Sequence, residues 1–508
     1  LFWRCSTMNR QNLPIHLAIA LFLLLLFTAA GQFRKWQQNS RANSRSWRGS
    51  FRSWIVKMEN PLPDPDDAAG SGIKGVDDSK TEVLVRFRSG VSLERMRSII
   101  STFHDQLEDE VESVKGLVVI EDLDKQKMQS VVDQYGALSE VEYAEPNYEI
   151  NLIEPSIKTR IPSSPDIFEE TTNDTLPNDP RFSEQWALAN GSDLTNSSEL
   201  NSNEEQPRAD ISASEAWKYT TGSADVVVAV LDSGVDYSHP DLIDNIWTRS
   251  ETIAPYFDDE LGTIDDVHGF NSASVDGDPM DENGHGTHCA GIIGARGNNG
   301  IGIAGVNWNV RIMSLKFMSS AGVGTTKSAI ECINYCIARK RDGVNVRVIN
   351  ASWGSPQKSR ALEDAIREAA EAGILFVAAS GNDSTDADRS PHFPSGYRLA
   401  NVISVAATDR FDHLAQFSNF GLKNVDIAAP GVDILSTWLD DSYHQASGTS
   451  MAAPYVSGVA ALLLAREPRL TVSQIRKRLL TGATHLEGLS GKVADGARLN
   501  AVQAIAPE

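Results

Sequence analysis

The chain has little cysteine, four residues in 508. Cys5 sits in an N-terminal stretch that reads as a targeting segment, which leaves Cys289, Cys332 and Cys336, an odd number from which no disulfide framework can be read. Cys332 and Cys336 would share one helical face, and a bridge at that spacing would be strained. Positive charge is scarce as well. The formal net charge is −22, and residues 1–58 hold nine Lys or Arg with no Asp or Glu, leaving 37 basic against 68 acidic residues in the remainder. A body this acidic argues against nucleic-acid binding by the folded part, and it favours bound cations and solubility in a salty or extracellular medium.

At 508 residues, 41% hydrophobic and 22% charged, the chain is globular and too long for one ordinary domain. Leu17 to Phe27 is an uninterrupted apolar run, preceded by Arg10 and followed by Thr28-Ala29-Ala30-Gly31, the small residues that suit signal cleavage. Residues 1–30 are therefore expected to be a secretion signal, with Met8 a better start than Leu1. Arg34, Lys35, Arg41, Arg45, Arg48 and Arg52 follow the run closely, a flank that fits an uncleaved anchor instead, although Leu13 to Ala30 is barely long enough to span a bilayer. Contact with a membrane is expected only if this segment stays. Residues 31–79, rich in Ser, Arg and Asn, read as a disordered linker.

Residues 80–150 read as a small folded module. Glu82 to Arg88 alternates as a half-buried strand does, Leu93 to Thr102 and Lys125 to Tyr135 have helical spacing, and Gly116 to Ile120 is a strand candidate. Residues 151–177, with Pro155, Pro162 and Pro165, form a linker open to proteolysis. From 178 to 508 strands and helices alternate. Val226 to Leu231, Val310 to Phe317, Val346 to Ala351, Ile374 to Ala379, Val402 to Ala407 and Val425 to Ala428 are strand candidates, with helices at Thr326 to Arg341, Arg360 to Ala372, Ala452 to Arg466 and near Val472 to Leu480. The pattern predicts an α/β domain with a parallel sheet flanked by helices, its chemistry at the carboxyl ends of strands.

Three motifs lie along this domain: Asp232-Ser233-Gly234 after a β-branched run, Asn283-Gly284-His285-Gly286-Thr287-His288, and Gly448-Thr449-Ser450-Met451-Ala452 before an apolar helix. A serine hydroxyl is a poor nucleophile at neutral pH, so a base must take its proton, and a carboxylate must hold that base in the right tautomer. In this order Asp232, His285 and Ser450 resemble the triad of the subtilisin family of serine endopeptidases, its subtilisin and proteinase K branch in particular. Ala378-Ala379-Ser380-Gly381-Asn382 is a fourth shared motif, in which Asn382 is implied to donate to the oxyanion beside the Ser450 backbone N–H.

The resemblance implies more. Residues 80–150, ending in Val141-Glu142-Tyr143-Ala144-Glu145-Pro146-Asn147-Tyr148, look like the family's inhibitory propeptide, an α+β ferredoxin-like module that blocks the cleft of its own chain and assists folding. Substrate is expected to lie between Ser352-Trp353-Gly354 and the edge containing Gly322, against Ala379, Ser380 and Gly381, with Trp353 either a wall or only a packing residue. His392 aligns with the base of the first specificity pocket; pointing inward it would shorten the pocket and favour polar or acidic side chains, and the alternative is that it faces solvent. Structural Ca2+ is implied at Asp179, Asp241, Gly297, Asn299, Ile301 and Ile303. The acidic insert with Asp258, Asp259, Asp265, Asp266, Asp276, Asp278 and Asp281 reads either as a second ion site or as a solvated loop. Cys289 looks like a free buried thiol below the base, a cysteine nucleophile being the other reading. Asn173, Asn190 and Asn196 begin glycosylation sequons, whereas Asn350 and Asn382 fit the pattern but belong inside. The expected protein is a monomeric, secreted, self-processing peptidase acting on proteins or peptides; a narrow maturation protease and a peptide-binding pseudoenzyme are the alternatives. With 58 residues after Ser450, the β-rich domain of kexin-like relatives is not expected.

Overall fold

Runs of buried β-branched residues set the frame of the molecule. The computed structural model describes residues 81–152, 156–158, 176–190, 208–259 and 261–506. The predicted signal, the basic linker, most of the processing linker, Asn173 and Asn196 lie outside the described residues. Among the described residues no helix is long and apolar enough to cross a membrane.

The N-terminal module runs β1 (Thr81–Phe87), α1 (Leu93–Thr102), β2 (Gln106–Glu110), β3 (Leu117–Asp122), α2 (Met128–Gly136) and β4 (Val141–Pro146). Its sheet has the order β2-β3-β1-β4 with antiparallel neighbours, the ferredoxin-like arrangement expected. Period-two alternation gives the sheet two apolar faces. Val83, Val85 and Phe87 meet Ile99, Ile100, Val131 and Tyr135 in the module's own core. Leu84, Leu117, Val119 and Tyr143 point the other way and join a core cluster of the larger domain. β5 (Glu149–Asn151) and β6 (Ser156–Lys158) then carry the chain toward that domain.

The larger domain is built on β7 (Gly222–Asp232), a short hairpin of β8 (Tyr256–Asp258) and β9 (Gly262–Ile264), then β10 (Gly269–Asn271), β11 (Asn309–Lys316), β12 (Val323–Thr325), β13 (Val346–Ala351), β14 (Leu375–Ala379), β15 (Val402–Thr408) and β16 (Ile427–Pro430). β17 (Ile434–Trp438) and β18 (Ser442–Ser447) form a second hairpin, and β19 (Thr484–His485) and β20 (Ala497–Arg498) end the strands. The described residues form a nine-stranded sheet of order β10-β11-β7-β13-β14-β15-β16-β20-β19, parallel throughout except for edge strand β19. α3 (His285–Gly294) and α6 (Thr449–Arg466) pack with one core cluster, and α4 (Thr326–Arg341) and α5 (Arg360–Glu371) with the other, so the sheet is covered on both faces. α7 (Val472–Thr481) follows α6, opened by a capping box of Thr471 and Gln474.

Two expectations need correction. Of the three motifs only Asp232 ends a strand of the main sheet; His285 opens α3, and Ser450 is the second residue of α6, which starts at Thr449 rather than at Ala452. The helix begins early because Gly448, with extended backbone, lets the chain turn straight out of β18 into the first helical turn. Pro454 lies inside that helix and has no N–H for the Ser450 carbonyl four residues back. Ser352 Oγ, at 2.8 Å, and Cys289 Sγ, at 3.5 Å, donate to that carbonyl instead.

Candidate active site

Asp232, at the end of a strand buried along its last seven residues, is fully enclosed, and its Oδ1 stands 2.7 Å from His285 Nδ1. A carboxylate accepts only, so Nδ1 carries the proton and Nε2 is the lone-pair nitrogen. That Nε2 is buried and has no hydrogen-bond partner among the described residues. Burial alone would lower the imidazole's pKa; the Asp232 carboxylate more than offsets this and holds it above the ordinary value. The close fit needs Gly286, where a Cβ would stand 2.0 Å from the Gly234 carbonyl and 3.1 Å from Asp232 Cβ.

Behind the pair lies Asp281, which the sequence reading placed in the acidic insert. Its Oδ1 accepts from Ser233 Oγ at 3.0 Å, Asn283 N at 2.9 Å and Gly284 N at 3.1 Å. Its Oδ2 accepts from Thr287 N at 3.0 Å and Thr287 Oγ1 at 2.6 Å. Asp281 thus ties the Asp232 turn to the start of the His285 helix. Asp266 likewise meets Tyr256 N, Tyr335 OH and Arg249. These two acids of the insert are internal struts, neither solvated nor gathered around a common point.

Ser450 is 6% exposed, and its Oγ donates to the Ser352 carbonyl at 2.8 Å rather than to His285. Cys289 Sγ connects the two, lying within 4.8 Å of the Asp232 and His285 ligand atoms and 3.5 Å from the Ser450 carbonyl. Burial pushes the Cys289 thiol well above its usual value, so it stays protonated and enclosed, unsuited to attack or metal binding. Asn382 is held by its oxygen: Oδ1 accepts from Thr449 N at 2.8 Å and Thr449 Oγ1 at 2.9 Å, which leaves Nδ2 free to donate. A methyl on Gly448 would lie 3.4 Å from Asn382 Nδ2 and 3.7 Å from Ser450 N, so both donors border one small space at the head of α6.

Beside this space opens a cavity of about 650 Å3 lined by Gly354, Asp383, His392 and Asn419 and, from the N-terminal module, Tyr148 and Asn151. His392 points inward: it is 5% exposed, and neither ring nitrogen has a hydrogen-bond partner among the described residues. A Cβ on Gly354 would come within 2.1 Å of its ring, and one on Gly381 within 3.1 Å, which places the imidazole between the two segments expected to form the walls. Burial lowers its pKa, leaving it neutral at pH 7. Ala379 and Ser380 are buried at the end of β14, and Ser380 O accepts from Asn419 Nδ2. The Trp353 indole turns away into the core, donating to the Leu231 carbonyl at 2.8 Å and packing at a tilt against Phe317 with ring centroids 4.7 Å apart, so as a side chain it packs and does not line the cavity. His288 is structural as well: Nε2 meets the Ile434 and His444 carbonyls at 3.1 Å each. Asn350 is fully buried.

The module covers the cleft. β5 pairs antiparallel with β12, and Leu152 N–H continues the ladder to the Gly322 carbonyl at 2.8 Å. Further on, Ser156 of β6 pairs with Ser447. Glu145 caps α5, accepting from Ser359 Oγ, Arg360 N and Ala361 N at 2.5, 2.8 and 3.0 Å, a carboxylate placed where the helix end is positive.

The implied calcium ligands also meet. Asp179 accepts from Asn298 N at 2.6 Å, while Asp241 accepts from Asn299 Nδ2 and Ile303 N, each at 2.9 Å. Gly297 is buried near Trp308, and Ile301 is an exposed corner of the same loop. Burial raises both carboxyls to about 6, and Asp241 also faces the charge of Asp179. Two crowded carboxylates against a carbonyl-bearing loop fit a hard cation.

The fold and this cleft define a subtilisin-like architecture, and the comparisons agree. The Subtilase family model matches residues 223–500. The chain belongs to the subtilase family. It is 38% identical over 290 residues to the thermophilic serine proteinase of Bacillus sp. (strain AK1), covering 57% of this chain and 64% of that protein. With subtilisin-like protease 1 of Plasmodium berghei (strain Anka) it shares 33% over 308 residues, 56% of this chain and 50% of the other. The chain therefore spans less than two thirds of the length of either relative. The crystal structure of fervidolysin from Fervidobacterium pennivorans, described as a keratinolytic enzyme related to subtilisin, superposes with a TM-score of 0.64 at 24% identity, over 84% of this chain and 61% of that one. At that identity the likeness speaks for the fold.

Proposed function

We propose that this chain is a secreted serine endopeptidase, stabilised by calcium and made as a self-processing zymogen whose N-terminal module is its propeptide. The observations that carry the reading are an imidazole oriented by Asp232 with Nε2 unpartnered, the Ser450 residue joined to that pair through Cys289 Sγ, and two N–H donors, Asn382 Nδ2 and Ser450 N, that border one space at the head of α6. Substrate displaces the hydroxyl from the Ser352 carbonyl; Ser450 Oγ then attacks the peptide carbonyl as His285 Nε2 takes its proton. Asp232 Oδ1 holds Nδ1–H and stabilises the imidazolium, and Asn382 Nδ2 with Ser450 N receives the oxyanion. His285 returns the proton to the leaving amine, and water releases the acyl group by the same route. Neutral His392 shortens the pocket without bringing a charge to it, which favours small over long or acidic side chains. Bound calcium would be held by Asp179, Asp241 and Asn299 with loop carbonyls, and it would tie the N-terminal segment, the stretch after β7 and the 297–303 loop together.

The strand pairing supports self-processing. The chain runs along β12 up to Leu152 and is paired again at Ser156, opposite Ser447 and three residues from Ser450. Cleavage is assigned to the interval between Leu152 and Ser156, narrower than the 151–177 linker. Purified Ser450→Ala precursor is expected to stay full length, while the unsubstituted chain gives a mature N-terminus within that interval by mass spectrometry. Maturation of the isolated Ser450→Ala protein would refute self-processing.

A further inference from the structure

Asp109 lies on β2 of the N-terminal module, Asp258 ends β8 and Glu331 lies on α4 of the larger domain. All three are buried, and one carboxylate oxygen from each lies within 4.8 Å of the others. Asp109 is 1% exposed and Glu331 4%, yet both oxygens of Asp109 and Oε1 of Glu331 receive no hydrogen bond, although they are closed from solvent. Lys327, the cation acting on Asp109, places its Nζ 2.9 Å from Glu108. A fourth carboxylate, Glu112 of the module, is held by Asn334 of α4 beside Asp258. Burial pushes the Asp109 and Glu331 carboxyls above their usual range; for Asp109 the contact with Glu331 and the attraction of Lys327 only partly offset it, and for Glu331 the neighbouring Asp109 and Asp258 charges add to it.

Asp109 and Glu331 thus hold buried oxygens without a donor beside Asp258, whose Oδ1 accepts from Leu261 N at 2.8 Å; buried carboxylates left so are costly, and a cation is the partner that offsets them. The donors are all hard oxygens with no histidine or thiolate, and their separation is no wider than twice a calcium–oxygen bond of about 2.4 Å. We propose that Asp109, Asp258 and Glu331 bind a calcium ion at the junction of the N-terminal module and the larger domain, distinct from the site at Asp179 and Asp241. Because one ligand comes from the module and two from the domain, this ion clamps the module in place and leaves with it.

The test counts ions on intact precursor carrying Ser450→Ala, by equilibrium dialysis against radioactive calcium, and follows melting with calcium and with chelator. Asp109→Asn is expected to bind one ion fewer than its parent, and so is Glu331→Gln; Asp241→Asn removes a different ion, so its loss adds to theirs. In calcium the Asp109→Asn precursor melts below its parent, and in chelator it melts with the parent or above it, since the amide relieves repulsion. An unchanged ion count overturns the site. So does an Asp109→Asn protein destabilised or unfolded equally in calcium and chelator, because that result marks a purely structural carboxylate.

Discussion

Replacing Asp281 with asparagine is the most informative perturbation of the base. The amide oxygen can keep the Ser233, Asn283 and Gly284 donors on the Oδ1 side, but its NH2 then faces Thr287 N, an N–H donor that is now 3.0 Å from a carboxylate oxygen. The Thr287 hydroxyl can turn and accept; the Thr287 backbone N–H cannot. One orphaned buried N–H costs about 1–3 kcal/mol, and the retained bonds lose their charge assistance, so the loss should be about 2–4 kcal/mol. At about 2 °C per kcal/mol this lowers the melting temperature by roughly 4–8 °C, measured in a Ser450→Ala background to prevent self-digestion. The electrical consequence is separate. His285 must be neutral to act, so kcat/KM rises with pH through its pKa, which Asp232 and, less strongly, Asp281 hold above the ordinary value. Removing the Asp281 charge shifts the acid limb of the profile to lower pH. An unaltered melting temperature together with an unmoved acid limb would refute the strut assigned to Asp281.

Three further outcomes follow from the geometry. Asn382→Ala should lower kcat by a hundredfold to a thousandfold with little change in KM, because about 2.7–4 kcal/mol is the contribution of the equivalent donor in subtilisin; a change confined to KM would contradict the assignment. His392→Gly should deepen the pocket and shift preference in a peptide library from small toward long side chains, whereas an unchanged profile would place the imidazole outside the pocket. Calcium should slow thermal inactivation of the mature enzyme as RT ln(1 + [Ca]/Kd), about 2.7 kcal/mol at a hundredfold excess over Kd, and Asp241→Asn should abolish that response; equal half-lives in calcium and chelator would defeat the site.

Buried parallel strands announce themselves as apolar runs, so Val346–Ala351 is legible to the residue, and so is the helix Thr326–Arg341, buried continuously from Ala329 to Ile337. β2 was not, since Gln106-Leu107-Glu108-Asp109-Glu110 is mostly acidic and owes its place to pairing with β3 and contact with the larger domain. The β17–β18 hairpin was missed because Ser442-Tyr443-His444-Gln445 lacks an apolar run, and its register is set by partners distant in sequence. In the site the motifs gave Asp232, His285, Asn382 and Ser450 their neighbourhood. The role of Asp281 stayed hidden: one aspartate among seven in an acidic stretch looks solvated until five donors are found around it. The turns of His392 toward the cavity and of Trp353 away from it into the core depend on rotamers, which spacing does not encode.

The central claim is that Ser450 is a nucleophile activated by His285. It is tested most directly by treating the matured protein with a serine-reactive phosphonate and locating the adduct by peptide mass spectrometry. The account predicts one adduct, on Ser450, prevented by competing peptide and lost when His285→Ala is introduced into the same form. An unlabelled Ser450 in folded, matured protein, or labelling that persists without His285, would contradict it.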